Sequence, residues 1–228
     1  MASAEQYEIE IKSLLGDAAA AESFRVSLKS AFPECALTAT ESQLNHYFDG
    51  GDIAALTERI ASRLSSEDRE KLARIAERAV SVSVRTRQVG EEVRFVVKAS
   101  LGDDTSANGI VRAELDVPMQ GMTLAELDEE IRAAGYEYQA KWSRDRESYE
   151  IPGASICIDR NAGYGYLVEF EKVVDDPQQI EAAKAELVML MDRLGAEELQ
   201  QDRLERMFAH YNTHWPEYYG TDKVFVIT

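Results

Sequence analysis

Tyr7-Glu8-Ile9-Glu10-Ile11-Lys12 alternates apolar and charged residues without interruption. Successive side chains of a β-strand point to opposite faces, so this stretch predicts a strand with one apolar and one charged face. The charged face of a single amphipathic strand usually lies in water. The pattern returns several times along the chain, however, and its repetition requires a further explanation.

The acidic composition limits the possible partners. Lys and Arg number 25 against 42 Asp and Glu, which gives a net charge of −17. We therefore expect no general affinity for nucleic acid or for an anionic membrane. The N-terminal residues lack the basic and apolar regions of a signal peptide, and no apolar run has the length of a membrane span. The sequence thus predicts a soluble, cytoplasmic protein.

Length and composition favour a single domain. The chain has 228 residues, of which 45% are apolar, and we expect one domain over residues 1–228. Its motif-bearing core would comprise residues 5–175, and a C-terminal helical region would comprise residues 177–228. Cys35 and Cys157 lie far apart and outside any metal-ligand spacing, so both are expected to be free thiols.

The chain alternates between strand and helix patterns. Besides the first stretch, the predicted strands are 43–49, a hairpin over 81–98, and 111–117, 138–149, 155–159 and 167–171, with a polar loop over 102–109. The predicted helices are 17–29, two within 52–80, 123 to about 135, 177–194, and 196 to about 210, followed by a short β-rich tail over 223–227.

The strands carry a balanced set of charges on their polar faces. The acids on these faces are Glu8, Glu10, Glu114, Asp116, Asp159, Glu169 and Glu171. The bases are Lys12, Arg85, Arg87, Arg94, Lys98, Arg112, Arg144 and Arg146. This near balance contrasts with the acidity of the whole chain, so the acidic excess must lie on the helices and loops.

The apolar strand faces must be covered, and the amphipathic helices are available to cover them. An open sheet would leave the charged face in bulk water, whereas a closed barrel would turn it inward as a polar lumen. Charged residues at nearly every polar strand position are unfavourable for β propensity if they only form a surface. We therefore predict an α+β fold, a closed antiparallel eight-stranded β-barrel with a charged lumen surrounded by helices.

A lumen with both signs of charge suits a linear polyphosphate and a divalent metal. Arginine forks bind phosphate oxygens in bidentate fashion, and lysines neutralise the charge. Carboxylates cannot bind phosphate directly, but they hold Mg²⁺ or Mn²⁺ together with phosphate oxygens.

The order of these residues resembles a known family. Glu8-x-Glu10-x-Lys12 resembles the ExExK signature of the CYTH superfamily, also called triphosphate tunnel metalloenzymes. The later strand motifs of the family are matched in order by Arg85-x-Arg87, Lys98, Arg112-x-Glu114-x-Asp116, Arg144-x-Arg146, Asp159 and Glu169-x-Glu171. The resemblance implies an eight-stranded antiparallel tunnel that binds a triphosphate and a divalent metal. The family includes class IV adenylyl cyclases, thiamine triphosphatases and inorganic triphosphatases.

Two positions depart from the family pattern. Asp116 stands where the family usually has Glu, which shortens the reach of that side chain. Arg144 stands where Lys is common, which replaces a point charge by a fork. The helical pair over 52–80 is longer than the usual connection and could shape a tunnel mouth or an oligomer contact, such as that of a homodimer.

We hypothesise metal-dependent hydrolysis of a small-molecule triphosphate, either inorganic or organic, with Mg²⁺ or Mn²⁺ as the cofactor. The triphosphate would be bound by Lys12, Arg85, Arg87, Arg94, Lys98, Arg112, Arg144 and Arg146. The metal would be held by Glu8, Glu10, Glu169 and Glu171, with Glu114, Asp116 and Asp159 near a second metal. The catalytic set is Glu8, Glu10, Lys12, Glu169 and Glu171, and no covalent nucleophile is required.

Two alternatives remain open at this stage. A class IV-type adenylyl cyclase would use the same tunnel to make cyclic AMP from ATP. A non-catalytic module would bind polyphosphate without turnover. Outside the strands, the helix carrying His210 is expected to end before Asn212 and Pro216, so a metal role for His210 and His214 is disfavoured. His46 is expected to be a strand residue without chemistry, and the aromatic residues 211–219 are expected to pack over a barrel end.

Overall fold

A computed structural model describes residues 7–79, 81–100 and 112–226 of the chain. The described strands are β1 Tyr7–Gly16, β2 Ala36–Gly50, β3 Ser81–Val89, β4 Glu92–Ser100, β5 Arg112–Pro118, β6 Tyr136–Ile151, β7 Ala154–Asn161 and β8 Gly165–Val174. The described α-helices are α1 Ala18–Ala31, α2 Ile53–Ile60, α3 Ser66–Arg78, α4 Leu124–Arg132, α5 Ile180–Leu194 and α6 Gln201–Tyr218. The predicted loop over 102–109, Val111 and Ile227 lie outside the described residues.

The eight strands form an antiparallel sheet in the order β1-β5-β4-β3-β2-β6-β7-β8. β1 pairs with β8 along its length, whereas the described residues of β1 and β5 pair only at Glu8 and Arg112. The predicted α+β class and the eight antiparallel strands are confirmed. Closure of the sheet into a barrel depends on the β1–β5 edge and stays a prediction.

The apolar strand faces lie in the core, as the alternation predicts. Ten apolar residues on these faces are at most 1% exposed: Ile9, Ile11, Val84, Phe95, Val97, Leu115, Ile156, Ile158, Val168 and Phe170. Helices α2, α3 and α4 cover β3, β4 and β5, and helices α1 and α5 cover β1, β7 and β8. Burying one such side chain contributes roughly 1.5–3 kcal/mol, so this face fixes the register of the sheet.

Several helices begin at residues whose side chains cap them. Asp17 accepts a hydrogen bond from the Ala20 amide at 2.9 Å and caps α1. Ser65 caps α3 by accepting from the Asp68 amide at 3.1 Å. Thr123 and Glu126 form a reciprocal capping box at the start of α4. None of the described helices is both long enough and apolar enough to cross a membrane.

Three predicted boundaries were wrong or incomplete. β2 begins at Ala36 instead of Gln43, because its mostly polar first half pairs with the second half of β6. The last helix does not end near His210, since α6 continues through Asn212 and Pro216 to Tyr218. Of the tail predicted over 223–227, the described part forms only one parallel bridge, between Val224 and Gly163.

Helix α6 packs against strands β6 and β8. Leu204 and Met207 are buried in a cluster with Leu167 of β8. Tyr211 is fully buried, and its hydroxyl donates a 2.9 Å hydrogen bond to the Lys141 carbonyl of β6. The segment before the helix is also held, because the Leu199 amide donates to the Lys12 carbonyl at 2.8 Å. These contacts place one face of α6 beside the polar face of the sheet.

We expect Gly165→Ala to destabilise the protein much more than Gly153→Ala. Both glycines have a left-handed φ, +78° and +82°. An alanine Cβ at 165 would lie 2.1 Å from the Gly16 carbonyl oxygen, whereas at 153 its nearest neighbour would be the Lys172 ammonium at 4.0 Å. The left-handed strain alone costs about 1–2 kcal/mol, and the clash adds to it only at 165. Chemical denaturation of both variants measures the difference, and equal losses of unfolding free energy would contradict the packing described here.

Candidate active site

The polar faces of the strands line a cavity of 280 Å³. Its charged lining residues come from six of the described strands and are Glu8, Glu10, Lys12, Arg85, Arg87, Lys98, Glu114, Arg144, Arg146, Glu169 and Glu171. All of them are in the predicted site set. A larger cavity of 630 Å³ shares Arg144 with it, but its other charged lining residues are only Asp17, Asp145, Arg160 and Asp222. The convergence of charges identifies the smaller cavity as the candidate site.

Asp159 fixes two of the arginines from beneath the cavity. Its carboxylate is fully buried and accepts from Arg144 Nη1 at 2.7 Å, from Arg146 Nε at 2.7 Å and from Arg146 Nη2 at 2.6 Å. Arg146 also pairs with Glu169. Burial raises the pKa of Glu169, but the charges of Arg146, Lys12 and Arg144 outweigh it and hold that pKa well below its usual range. Asp159 does not line the cavity, so its structural position is that of a residue orienting arginines.

A lysine bridges two carboxylates on the other side of the cavity. Lys98 Nζ lies 3.0 Å from Glu8 Oε1 and 2.9 Å from Glu114 Oε2. Burial raises the pKa of Glu8, but Lys98 and a hydrogen bond from Glu114 outweigh it and lower that pKa. The pKa of Glu114 is raised by burial and by its neighbour Glu8.

Arg87 is oriented by residues outside the cavity lining. Its Nη1 donates to Asp116 at 3.0 Å and its Nε donates to Asn45 at 2.9 Å. Asp116 also accepts from Arg94 Nε at 2.6 Å, and Arg94 pairs with Glu92. Neither Asp116 nor Arg94 lines the cavity, although both belong to the predicted set. The side chain of Arg112 lies outside the described part of the structure.

Arg85 is free to meet a ligand. Among the described residues it forms no ion pair with a carboxylate; its Nε donates to Ser83 Oγ at 3.0 Å and its Nη1 to the Tyr47 hydroxyl at 3.2 Å. The guanidinium carbon lies 4.3 Å from the centre of the Tyr47 ring. Burial raises the pKa of Tyr47, but the charges of Arg85, Arg144 and Arg87 outweigh it and lower that pKa.

Sequence reasoning missed the uncharged part of the lining. The missed residues are Tyr47, Gln139, Trp142, Tyr164, Phe208 and Asn212. A signal existed for Trp142, which has the same strand parity as Arg144 and Arg146, and for Tyr47, which lies opposite Arg85 in the register. No signal existed for Phe208 and Asn212, because only the tertiary placement of α6 brings them to the cavity.

Three residues outside the cavity have other roles. His46 was predicted to be without chemistry; it is buried, with Nδ1 2.7 Å from Asp128 Oδ2 and Nε2 2.8 Å from the Tyr219 hydroxyl. His210 and His214 stack at 4.3 Å, and His214 Nδ1 donates to the His210 carbonyl. None of these histidines lines the charged cavity.

The sequence matches none of the curated proteins. The model of one family, CYTH domain, matches residues 6–203. The chain belongs to the CYTH family. Its fold is similar to that of the PH1819 protein of Pyrococcus horikoshii, with a TM-score of 0.60 and 19% identity over 88% of this chain and 99% of that one. It is also similar to a Vibrio parahaemolyticus protein provisionally named an adenylate cyclase, with a TM-score of 0.60 and 15% identity over 90% and 98% of the two chains. These likenesses support the CYTH fold.

The donor set of the CYTH cavity fits a hard divalent cation. Glu171 forms no ion pair with a described Lys or Arg, and burial together with repulsion from Glu8, Glu169 and Glu114 raises its pKa to about 7. Negative charge at this point is therefore not balanced by the protein, and a divalent cation would balance it. No three carboxylates of the described residues are arranged as a preformed metal site. The fit rests on the chemistry and charge of the donors.

We expect Asp159→Asn to lower the unfolding free energy by about 3 kcal/mol, because it leaves the Arg144 and Arg146 charges buried beside a neutral amide. Asp145→Asn is the matched control on the neighbouring strand. Its partner Arg160 lies 3.5 Å away and both side chains are about half exposed, so the loss should stay within about 1 kcal/mol. Urea denaturation compares the two variants. Equal losses would show that Asp159 does not hold the arginines as described.

Proposed function

We propose that this CYTH protein catalyses the metal-dependent hydrolysis of a triphosphate in a tunnel that the β1–β5 edge closes. One observation supports the proposal above all. Six cations and five carboxylates line a single cavity, namely Lys12, Arg85, Arg87, Lys98, Arg144 and Arg146 with Glu8, Glu10, Glu114, Glu169 and Glu171. A surface salt-bridge lattice would not require these side chains to converge on one enclosed space.

The cations would hold the phosphate chain. Arg85 is the clearest candidate, since it forms no ion pair with a described carboxylate. Arg144 and Arg146 are held in fixed orientation by Asp159, and Arg87 is held by Asp116, so their forks are oriented before a ligand arrives. Oriented charges stabilise the negative charge that develops on the transferred phosphoryl group without reorganising. Asp159 and Asp116 thus act on the substrate through the arginines.

The carboxylates would hold Mg²⁺ or Mn²⁺. We assign Glu8, Glu10 and Glu171 to the metal, with Glu114 beside them. Glu8 and Glu10 each pair with one lysine, whereas Glu169 is held by two arginines. A divalent cation held by these carboxylates would supply neutralising charge for the phosphate chain and acidify a water molecule. In the overall reaction, water adds to the terminal phosphorus, the bond from that phosphorus to the bridging oxygen breaks, and tripolyphosphate yields phosphate and pyrophosphate. The reaction needs no covalent intermediate between the enzyme and the phosphoryl group. Burial raises the pKa of the Cys157 thiol, which makes it a poor nucleophile.

Cyclisation of ATP is the second candidate, and the aromatic lining favours considering it. Tyr47, Trp142, Tyr164 and Phe208 line the same cavity as the charges, and such rings could bind a purine. Cyclisation would release pyrophosphate and cyclic AMP. A module that only binds polyphosphate would release neither.

The test is to incubate the protein with tripolyphosphate, ATP and thiamine triphosphate, each with Mg²⁺ and with Mn²⁺, and to quantify phosphate, pyrophosphate and cyclic AMP. Phosphate release that stops when the metal is chelated supports the hydrolase. Cyclic AMP and pyrophosphate as the main products would replace it by the cyclase. Tight binding without product would reduce the protein to a binding module.

Glu10→Gln should lose metal-dependent turnover while it keeps the fold and the affinity for triphosphate. The substitution removes one carboxylate from the metal set and leaves the phosphate-binding cations in place. We expect turnover to fall on the order of 100-fold or more. Glu150→Gln is the matched control, because Glu150 lies exposed on β6. Unchanged turnover in Glu10→Gln, measured by phosphate release under saturating metal, would remove Glu10 from the metal set.

A further inference from the structure

Two of the described strands contribute no charged residue to the cavity lining. The charged lining residues come from β1, β3, β4, β5, β6 and β8, whereas β2 and β7 supply none. β7 instead supplies Asp159, which holds Arg144 and Arg146 from beneath. β2 lies between β3 and β6, the two strands that carry the arginines of the lining. The inward side chains of β2 are therefore in a position to hold these arginines as well.

The inward face of β2 carries two amide side chains that contact arginines. Gln43 and Asn45 are two residues apart and so share a face of the strand. Gln43 lies opposite Arg144 of β6 in the register, and Asn45 lies opposite Arg87 of β3. Gln43 Oε1 accepts from Arg144 Nε at 2.9 Å, and Asn45 Oδ1 accepts from Arg87 Nε at 2.9 Å. The same contact thus occurs twice, once on each side of β2.

Both amides are buried away from the charged cavity. Gln43 is 4% exposed and Asn45 is 2% exposed, and neither lines that cavity. The amide of Gln43 is held in turn, because its Nε2 donates to Glu41 Oε2 at 2.8 Å. Since its nitrogen is engaged there, its oxygen is the atom available to Arg144. The two amides therefore contact the arginines and not a substrate in this cavity.

The amides complete the same pattern of contacts on both arginines. Arg87 donates from Nη1 to Asp116 at 3.0 Å, and Arg144 donates from Nη1 to Asp159 at 2.7 Å. With Nε and Nη1 both engaged, each guanidinium plane is fixed by two contacts. Nη2 of each arginine donates no hydrogen bond to any residue that the structure describes. Because both arginines line the cavity, Nη2 is the group left for a ligand.

The charges of the two arginines also act on one another. Burial and then the charge of Arg144 lower the pKa of Arg87, and the opposing effect of Asp116 does not outweigh them. The positive charge at this place is therefore only partly balanced by the protein. An anion beside these guanidinium groups would balance the rest.

We propose that Gln43 and Asn45 are positioning residues for triphosphate binding, each acting through one arginine. By accepting from Nε, each amide fixes the guanidinium plane of its arginine and leaves Nη2 to donate to a phosphate oxygen. A neutral acceptor does this without adding negative charge beside the phosphate chain. The inference rests on the proposed function, since it concerns the binding of the same triphosphate.

The test measures the affinity of the full-length protein for tripolyphosphate by calorimetric titration, with divalent metal chelated so that binding is observed without turnover. Asn45→Leu is close to asparagine in size but has no acceptor, and it should weaken the affinity about tenfold. Gln43→Met should weaken it to a similar extent. Ser42→Ala is the control, because Ser42 is exposed on the same strand and its hydroxyl donates to Asp145. The control should keep the wild-type affinity.

Double-mutant cycles separate positioning from a purely structural role. Arg87→Lys keeps a positive charge but lacks the Nε–H and the planar fork. If Asn45 acts through Arg87, adding Asn45→Leu to Arg87→Lys should change the affinity by less than about twofold. Adding Gln43→Met to Arg144→Lys should behave in the same way. A residue that only stabilises the fold would weaken the affinity equally in both backgrounds.

The positioning role and the proposed function can fail separately. Wild-type affinity in both Asn45→Leu and Gln43→Met, or equal losses with and without the arginine, would overturn the positioning role and leave the hydrolase intact. If Asn45→Leu does not fold, the cycle of Gln43 with Arg144 decides. A wild type that binds tripolyphosphate but releases no phosphate with metal loses the hydrolase, and coupling in the cycles still supports positioning. A wild type that does not bind tripolyphosphate overturns both.

Discussion

Charge pairing on the polar side of the sheet is the constraint on which the rest of the structure depends. Eleven charged side chains converge on one cavity, and most of them are largely removed from water. A buried charge without a partner is strongly destabilising. Some of these charged side chains have an ionic partner in the structure and others do not. Asp159 binds two arginines and Lys98 bridges two glutamates, but Glu171 and Arg85 lack an ionic partner among the described residues. The unsatisfied positions of both signs are where a phosphate and a cation would complete the pairing.

The apolar side of the sheet makes this arrangement possible. Ile9, Phe95 and Phe170 are fully buried against the helices, and each belongs to a strand whose alternate residues are charged. Because the side-chain period of a strand is two, fixing the apolar face also fixes which charges face the cavity. A shift of register by one residue would bury the charges under helices, at a cost that the core could not offset. The hydrophobic core thus orients the functional residues.

The same reasoning explains what could be predicted from the sequence. Strand parity alone identified Glu10, Arg87 and Glu169 as facing one space, because parity does not depend on knowing which strands are neighbours. It did not separate lining residues from those beneath them. Asp159 has the right parity, yet it is fully covered by the arginines it holds, and this depends on side-chain reach and strand position. Strand boundaries without hydrophobic alternation, such as the start of β2, were also not predictable.

The C-terminal helix is the clearest failure of local signals. Asn212 and Pro216 predict an early end, because proline removes a backbone hydrogen bond. The last turns persist because Tyr211 packs on Trp142 of β6 and His46 of β2 hydrogen-bonds the Tyr219 hydroxyl. Tertiary contacts therefore override the local preference, and only they bring α6 to the cavity. The His46 contact is part of that anchoring, which gives this residue a structural role that its sequence context did not indicate.

The most direct measurement of the central claim is a crystal structure of the protein with tripolyphosphate and Mn²⁺, using anomalous scattering to locate the manganese. The account predicts an anomalous peak among Glu8, Glu10 and Glu171, with phosphate density between that peak and the arginines at 85, 87, 144 and 146. Manganese and phosphate bound outside the cavity, with Glu8 still paired to Lys98 and Glu10 to Lys12, would contradict it.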